Sequence, residues 1–436
     1  MTNKNLVDRS LKSVWHPCSQ MKQYENLPLI SIHRGKGIWL YDFNDKRYLD
    51  AISSWWVNLF GHTNSYINNA VLEQLEKLEH VMLAGFTHEP VVDLSERLTK
   101  LAPNGLNHCF YSSDGASAIE AALKMSFHFW HNNGQSKKNN FISLQNGYHG
   151  ETLGALSVTD VPIFSKIYTP LLRKSIRIPT PDWRYAEEGE LPKEYALRAA
   201  NYLEKYLAKN HKVTAAFIIE PLVQGAVGMG MYHPDYLKYA REICSKYQVH
   251  LIADEIAVGF GRTGTMFACE QANITPDFLC LAKGLTSGYL PLSAVLTTKS
   301  IYRAFYHKDT KRAFLHSHTH SGNALACSAA LATLDIFKQN KSIQANHTKI
   351  KYLNDISQPI ASHNKVRNFR NCGMIWAFEV KNTDPSFSEN FFQRSIDQGL
   401  LLRPLGNTVY FMPPYIINKK EMKFLVERTL RILDSY

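Results

Sequence analysis

Two apolar runs in this 436-residue chain end abruptly in a charged side chain. Val249-His250-Leu251-Ile252-Ala253 leads into Asp254, and Phe278-Leu279-Cys280-Leu281-Ala282 leads into Lys283. A buried carboxylate is costly unless a cation or several donors face it. Set beneath a flat heteroaromatic ring, it would hold a protonated ring nitrogen and keep that ring able to accept electrons. A lysine in the same surroundings is desolvated. It loses basicity from its ordinary value near about 10.4 and becomes a nucleophile toward an aldehyde. Each residue alone has an ordinary explanation, since aspartates cap turns and strand-end lysines snorkel to water. Their spacing, read as one intervening helix between two strands, makes the pair more telling than either member.

Two further features lie upstream. Tyr111-Ser112-Ser113-Asp114-Gly115-Ala116-Ser117 turns from a strand into a helix rich in Ala, Leu and Met. Backbone N–H groups at such a helix start bind phosphate, although a plain N-cap reads the same way. Asn146-Gly147-Tyr148-His149-Gly150 places an aromatic ring between glycines after a strand. There it either stacks on a flat cofactor or sits in an ordinary turn. The joint order is phosphate turn, stacking aromatic, strand-end Asp, strand-end Lys. It points to pyridoxal 5′-phosphate.

These residues need a scaffold that brings strand ends together. Between about 107 and 300, apolar strands at His108–Tyr111, Asn140–Leu144, Thr214–Ile219, Val249–Ala253, Phe278–Leu281 and Leu292–Leu296 alternate with helical stretches. That alternation predicts an α/β fold with a largely parallel sheet. Ligands in such sheets bind beyond the C-terminal strand ends. Before this region, a hairpin is expected from Gly37–Asp42 and Lys46–Asp50, turning at Phe43-Asn44-Asp45. Helices are expected over Ser65–Met82 and from Pro90, the latter with Leu94, Leu98 and Leu101 on one face. After it, a long helix over Ala326–Lys338 leads into an α+β tail ending in a helix from Lys419. The expected division is 61–325 as a large domain, with a smaller domain built from 1–60 and 326–436.

The net charge of +11 raises the question of nucleic acid, but the basic residues are scattered and cluster only as pairs such as Lys137-Lys138. Neither a signal-peptide core nor an apolar run of membrane-spanning length is evident, which favours a cytoplasmic protein. The seven cysteines show no CxxC spacing. They read as small buried residues in a reducing compartment, not as a disulfide framework or a metal site.

The segments Ile218-Ile219-Glu220-Pro221, Ala253-Asp254-Glu255-Ile256, Gly259-Phe260-Gly261-Arg262-Thr263-Gly264 and Lys283-Gly284 resemble the class III aminotransferases. The resemblance covers nearly the whole chain. It implies fold type I of the pyridoxal-phosphate enzymes, with a mainly parallel sheet of seven-stranded type. Trp15-His16-Pro17, Ser53-Ser54-Trp55-Trp56, Gly322-Asn323, Arg403-Pro404 and Met412-Pro413-Pro414-Tyr415 resemble more closely the members that serve biotin synthesis. For those, transfer of an amino group from S-adenosylmethionine to 8-amino-7-oxononanoate is expected. The resemblance implies that Lys283 bonds to the cofactor and moves the proton. It gives Asp254 the pyridine nitrogen, and Gly115 and Ala116 the phosphate. Tyr148 would stack on the ring and line the substrate site. Thr319, with His318, would reach the phosphate of the other subunit's cofactor in a homodimer. Trp55, Ser317 and Arg403 would contact substrate, Arg403 through its carboxylate. Glu220 would support the cofactor. Trp56 reads equally as core.

Five positions depart from the family pattern. Cys18 stands where a tyrosine concerned with substrate recognition is usual, which leaves lysine open as an alternative amino donor. Ala116 replaces a serine, Ser317-His318 a Gly-Pro pair, and Glu151 an aspartate. Other class III chemistry on ω-amino acids is the nearest alternative function. Non-enzymatic nucleic-acid binding and an inactive scaffold are more remote ones.

Overall fold

The computed structural model describes residues 3–27 and 29–436. It contains two compact units, one spanning Tyr66–His347 and the other built from the segments up to Ser65 and from Thr348 onward.

The larger unit holds a seven-stranded sheet. Its strands are β1 (Leu106–Ser112), β2 (Asn140–Leu144), β3 (Ile176–Ile178), β4 (Thr214–Ile219), β5 (His250–Asp254), β6 (Phe278–Leu281) and β7 (Ser293–Thr298). They lie in the order β1-β7-β6-β5-β4-β2-β3. All neighbours are parallel except β7, which runs antiparallel to both β6 and β1. The C-terminal ends of β1, β2, β4, β5 and β6 therefore share one edge of the sheet. Every residue of β4, β5 and β6 is buried, as expected for parallel strands covered on both faces. The short edge strand β3 is absent from the sequence reading, because three residues carry no readable alternation.

Three expectations are corrected by the structure. No full helix lies between β5 and β6; the link holds only the 3-10 turn Ala268–Ala272. Gly261 and Gly264 in this link adopt φ values of +89° and +102°, which no right-handed helix contains. The helix Glu89–Leu101 buries Leu94 and Leu98, but Leu101 is exposed and Val91 completes the apolar stripe instead. The helix begun at Ser65 ends at Leu75, not Met82.

The helix Gly115–Asn132 lies against the sheet. Its N-cap Asp114 accepts the Ser117 N–H at 3.0 Å. Ala118, Ala121 and Ala122 are small enough to let Ile119 and Met125 join Ile218, Ile252, Cys280 and Val295 in one core. Each fully buried isoleucine there stabilises the fold by about 1.5–3 kcal/mol. The helix Ala324–Gln339 also belongs to this unit.

In the smaller unit, the expected hairpin forms from Trp39–Asp42 and Arg47–Asp50. Asp42 Oδ1 accepts the N–H groups of Asn44 and Lys46 at the turn. Arg47–Asp50 then pairs in parallel with Leu400–Leu401, so one sheet joins both ends of the chain. A second, antiparallel sheet of Val366–Cys372, Ile375–Val380 and Thr408–Phe411 buries Trp376, Phe378 and Phe411. The helix Lys419–Asp434 opens on an Asn418–Glu421 capping box and buries Leu425 and Ile432. Among the described residues, no helix is long and apolar enough to cross a membrane.

Candidate active site

Parallel register places three ionisable residues at adjacent strand ends of the larger unit. Ala253 pairs with Ile219, and Asp254 with Cys280. Glu220 thus follows β4 beside Asp254, and Lys283 follows β6 on the other side. Asp254 is buried, and its Oδ2 accepts Nδ1–H of His149 at 2.7 Å. Its Oδ1 accepts the Ile256 N–H at 3.2 Å. A carboxylate only accepts, so the imidazole carries its proton on Nδ1, and the buried Nε2 is without a partner. Burial pushes the Lys283 amine below the ordinary lysine range, against the pull of the Asp254 and Glu220 carboxylates. Burial first, and then the charge of Asp254, raises Glu220 to about 7, although the His149 ring and the N–H groups of Gly225 and Tyr148 draw it down. Lys283 has φ +39°, in the left-handed region where functional residues store strain.

The loop after β2 supplies both His149 and Tyr148. Glu220 Oε1 accepts the Tyr148 N–H at 2.9 Å, and the Tyr148 hydroxyl donates to Glu151 at 2.9 Å. The longer arm of Glu151 thus still reaches the phenol. After β1, Gly115 and Ala116 begin the helix, where N–H groups have no intrahelical acceptor. A Cβ on Gly115 would lie 3.0 Å from the Ile256 side chain, so the turn packs directly on the residue bound to Asp254. Gly150 approaches the same turn: a Cβ there would come within 2.5 Å of Ala116 Cβ. Ser113 Oγ lies 3.3 Å from His318 Nδ1, which brings His318 to the phosphate turn of its own chain. Ser317 and Thr319 on the same loop are exposed.

A second cluster lies wholly in the smaller unit. Ser53, Ser54, Trp55 and Trp56 have φ of +52°, +46°, +72° and +76°. They form one left-handed turn, with Trp56 N–H donating to Ile52 O at 2.8 Å and Val57 N–H to Ser53 O at 3.0 Å. Left-handed backbone costs about 1–2 kcal/mol per L-residue, so this turn is held by its surroundings. Trp56 is core: it is buried, and its indole N–H donates to the Tyr410 hydroxyl at 3.1 Å. Trp55 points the other way, 44% exposed. The Arg403 guanidinium stands 4.9 Å from the Trp55 ring centre, and its Nη2 donates to the Cys18 carbonyl at 3.3 Å. Cys18, Trp55 and Arg403, far apart in sequence, are thus neighbours.

The class III aminotransferase family model matches residues 20–433. The chain belongs to the class III aminotransferases. It is accordingly a pyridoxal-phosphate-dependent aminotransferase, and its site chemistry suits that cofactor. A buried carboxylate backed by an imidazole, a desolvated amine and an open helix start are the donor set that a pyridine nitrogen, an aldehyde and a phosphate require. This aminotransferase is 48% identical to the adenosylmethionine-8-amino-7-oxononanoate aminotransferase of Helicobacter pylori, over 99% of this chain and 98% of that one. It is 40% identical to the protein of the same name from Aquifex aeolicus, over 95% and 93% of the two chains. The crystal structure of the Methanocaldococcus jannaschii protein of that name superimposes with a TM-score of 0.93 at 34% identity, over 99% of each chain. An omega transaminase of Pseudomonas jessenii in complex with PMP gives the same TM-score at 30% identity, over 99% and 98% of the chains. The fold is therefore common to transaminases of different names, and the side chains must distinguish their substrates.

The sequence reading gives no role to His149. Its only signal is its place beside Tyr148 in the glycine-flanked loop.

Proposed function

We propose that this aminotransferase moves the α-amino group of S-adenosylmethionine to 8-amino-7-oxononanoate, yielding 7,8-diaminononanoate for biotin synthesis. The observation that carries this reading is the Arg403–Trp55 pair, with its 4.9 Å separation, in a chain 48% identical over nearly its full length to a protein of that name. Bound pyridoxal phosphate supplies an electron sink and carries the amino group between the two substrates. Gly115 and Ala116 would hold its phosphate, Asp254 its pyridine nitrogen and Lys283 its carbonyl carbon, with Tyr148 against the ring. Lys283 Nζ would take the proton from the substrate Cα and hand it on within the same half-reaction, and the second half-reaction would run the transfer in reverse, a task eased by its lowered basicity. Arg403 receives a substrate carboxylate in fork geometry, and Trp55 faces an alkyl chain or a sulfonium cation.

A cytoplasmic homodimer is part of this reading. Leu72, Met82, Phe86 and Leu315 of the larger unit are each more than half exposed, and large exposed apolar side chains suit contact with a second copy. Thr319 on the exposed loop is assigned to the cofactor phosphate of the neighbouring subunit and Ser317 to substrate, while His318, 3.3 Å from Ser113, is assigned to the phosphate in its own chain.

Cys18 supports a second choice of donor, lysine, because an exposed thiol stands where the family has a tyrosine. Mixing the holoenzyme separately with S-adenosylmethionine, lysine and alanine decides the matter. The true donor bleaches the visible absorbance near about 420 nm that the lysine-bound cofactor carries. If no amine bleaches it, the reading fails. Unchanged kinetics of both half-reactions in Arg403→Ala would remove Arg403 from the substrate.

A further inference from the structure

A left-handed turn of four non-glycine residues persists only where its surroundings over-determine it. The fully buried Asp50 carboxylate grips this one twice. Oδ1 accepts the Ser54 N–H at 2.8 Å, and Oδ2 accepts the Ser54 hydroxyl at 2.7 Å. Behind it, Oδ2 lies 3.0 Å from His62 Nε2. The direction of that bond follows from the next residue along. Asn58 Oδ1 accepts the Gly61 N–H at 2.7 Å, so the Asn58 amide NH2 faces His62 Nδ1 at 3.1 Å. Nδ1 must accept, which leaves the imidazole proton on Nε2, donated to Asp50. A doubly protonated ring would set N–H against NH2. The histidine is fixed in its turn by paired backbone bonds with Gly37, at 2.7 and 3.1 Å. It also packs on Gly35, where a Cβ would come within 2.6 Å of His62 Cβ. A directed chain of hydrogen bonds, Asn58 to His62 to Asp50, thus converges on the carboxylate to which Ser54, the residue next to Trp55, donates from the other side.

We propose that Asp50 is a positioning residue for substrate binding: through the left-handed turn it holds Trp55 outward against Arg403. The proposal rests on the assignment of Trp55 to substrate made above. Asp50 touches neither substrate nor cofactor. Its effect is transmitted by Ser54, whose N–H and hydroxyl it binds together. Asparagine at position 50 keeps the shape and offers one acceptor oxygen where the turn and His62 use two.

The test compares holoenzyme variants by three readouts. Trp55 is isolated as the difference in acrylamide quenching between a protein and its Trp55→Phe counterpart. KM is measured for 8-amino-7-oxononanoate. The third readout is the rate at which hydroxylamine strips cofactor from Lys283, which needs no substrate wall. In Asp50→Asn, Trp55 quenching changes and KM rises about tenfold, as expected for a displaced aromatic contact, while the hydroxylamine rate stays the same. Should that variant fail to fold, His62→Leu keeps the carboxylate, removes its donor and moves the first two readouts in the same direction. Unchanged Trp55 quenching in both variants overturns the proposal. So does a KM increase matched by an equal change in the hydroxylamine rate, which marks general loosening. If Trp55→Phe alone leaves KM unaltered while Asp50→Asn still changes Trp55 quenching, the positioning stands and the substrate assignment of Trp55 falls.

Discussion

His149 donates Nδ1–H to Asp254 Oδ2 across 2.7 Å, and both side chains are buried. Hydrogen bonds to charged groups contribute about 1.5–3 kcal/mol. His149→Phe keeps a flat ring but removes this donor, leaving Asp254 with the Ile256 N–H on its other oxygen. Transamination should fall roughly 10- to 100-fold, and cofactor affinity should weaken with it. Steady-state kinetics and cofactor titration of the apo-protein check both.

Gly150 has φ +121°, and a Cβ there would sit 2.5 Å from Ala116 Cβ and 2.9 Å from its Cα. Neither contact can relax by rotating a side chain. Gly150→Ala therefore displaces the phosphate turn, and cofactor dissociation should strengthen about tenfold or more while the core stays folded. Equilibrium dialysis of the cofactor, with circular dichroism as the folding control, measures this.

Lys283 must be neutral to capture an aldehyde, and burial lowers its basicity while Asp254 and Glu220 raise it. Capture of cofactor by the apo-protein should reach its plateau below pH ~10.4, the ordinary lysine value. Glu220→Gln deletes one of the raising charges. Its capture profile should shift to still lower pH, an effect confined to the range above about 7 where Glu220 is ionised. Rapid-mixing absorbance against pH shows the direction. A shift upward would contradict the arrangement.

Glu255 is fully buried and accepts the N–H groups of Ala268 and Cys269. Burial raises it to about 7 in spite of those bonds. A raised carboxyl stabilises the fold fully below its unfolded value near 4.5, and that contribution is lost as pH rises through about 7. Glutamine does not titrate. The Tm of Glu255→Gln should therefore gain on the parent between pH 5 and 8, by the equivalent of about 3 kcal/mol at most. Thermal melts of both apo-proteins across that range supply the comparison.

Asp254 and Lys283 were legible because each ends a mainly apolar run, and the parallel sheet then sets their strand ends side by side. The helix start at Gly115 was legible from small residues ahead of an alanine-rich stretch. His149 was not: its bond to Asp254 spans 105 positions, and no local pattern tells an inward ring from an outward one. The left-handed turn was hidden for a stronger reason. Ser-Ser-Trp-Trp contains no glycine, and local steric preference argues against the conformation it adopts. Acceptors and partners brought by the fold hold it, among them Asp50, Tyr410 and the Met412 carbonyl that Ser53 Oγ reaches at 2.7 Å. The missing helix between β5 and β6 has the opposite origin, since Gly261 and Gly264, which forbid it, stand plainly in the sequence.

The parallel pairing of Arg47–Asp50 with Leu400–Leu401 also sets an order of events during synthesis. The early hairpin leaves the ribosome with one strand edge unpaired, and the strand that covers it is made near the end of the chain. At ~5–20 residues per second, that interval is on the order of tens of seconds. The turn that presents Trp55 waits just as long, because Tyr410 and Met412 belong to the same late segment. The larger unit can complete its sheet meanwhile. The strand ends that carry Asp254 and Lys283 can thus be in place before the turn that presents Trp55 takes shape, and throughout that delay the hairpin edge needs protection from neighbouring chains.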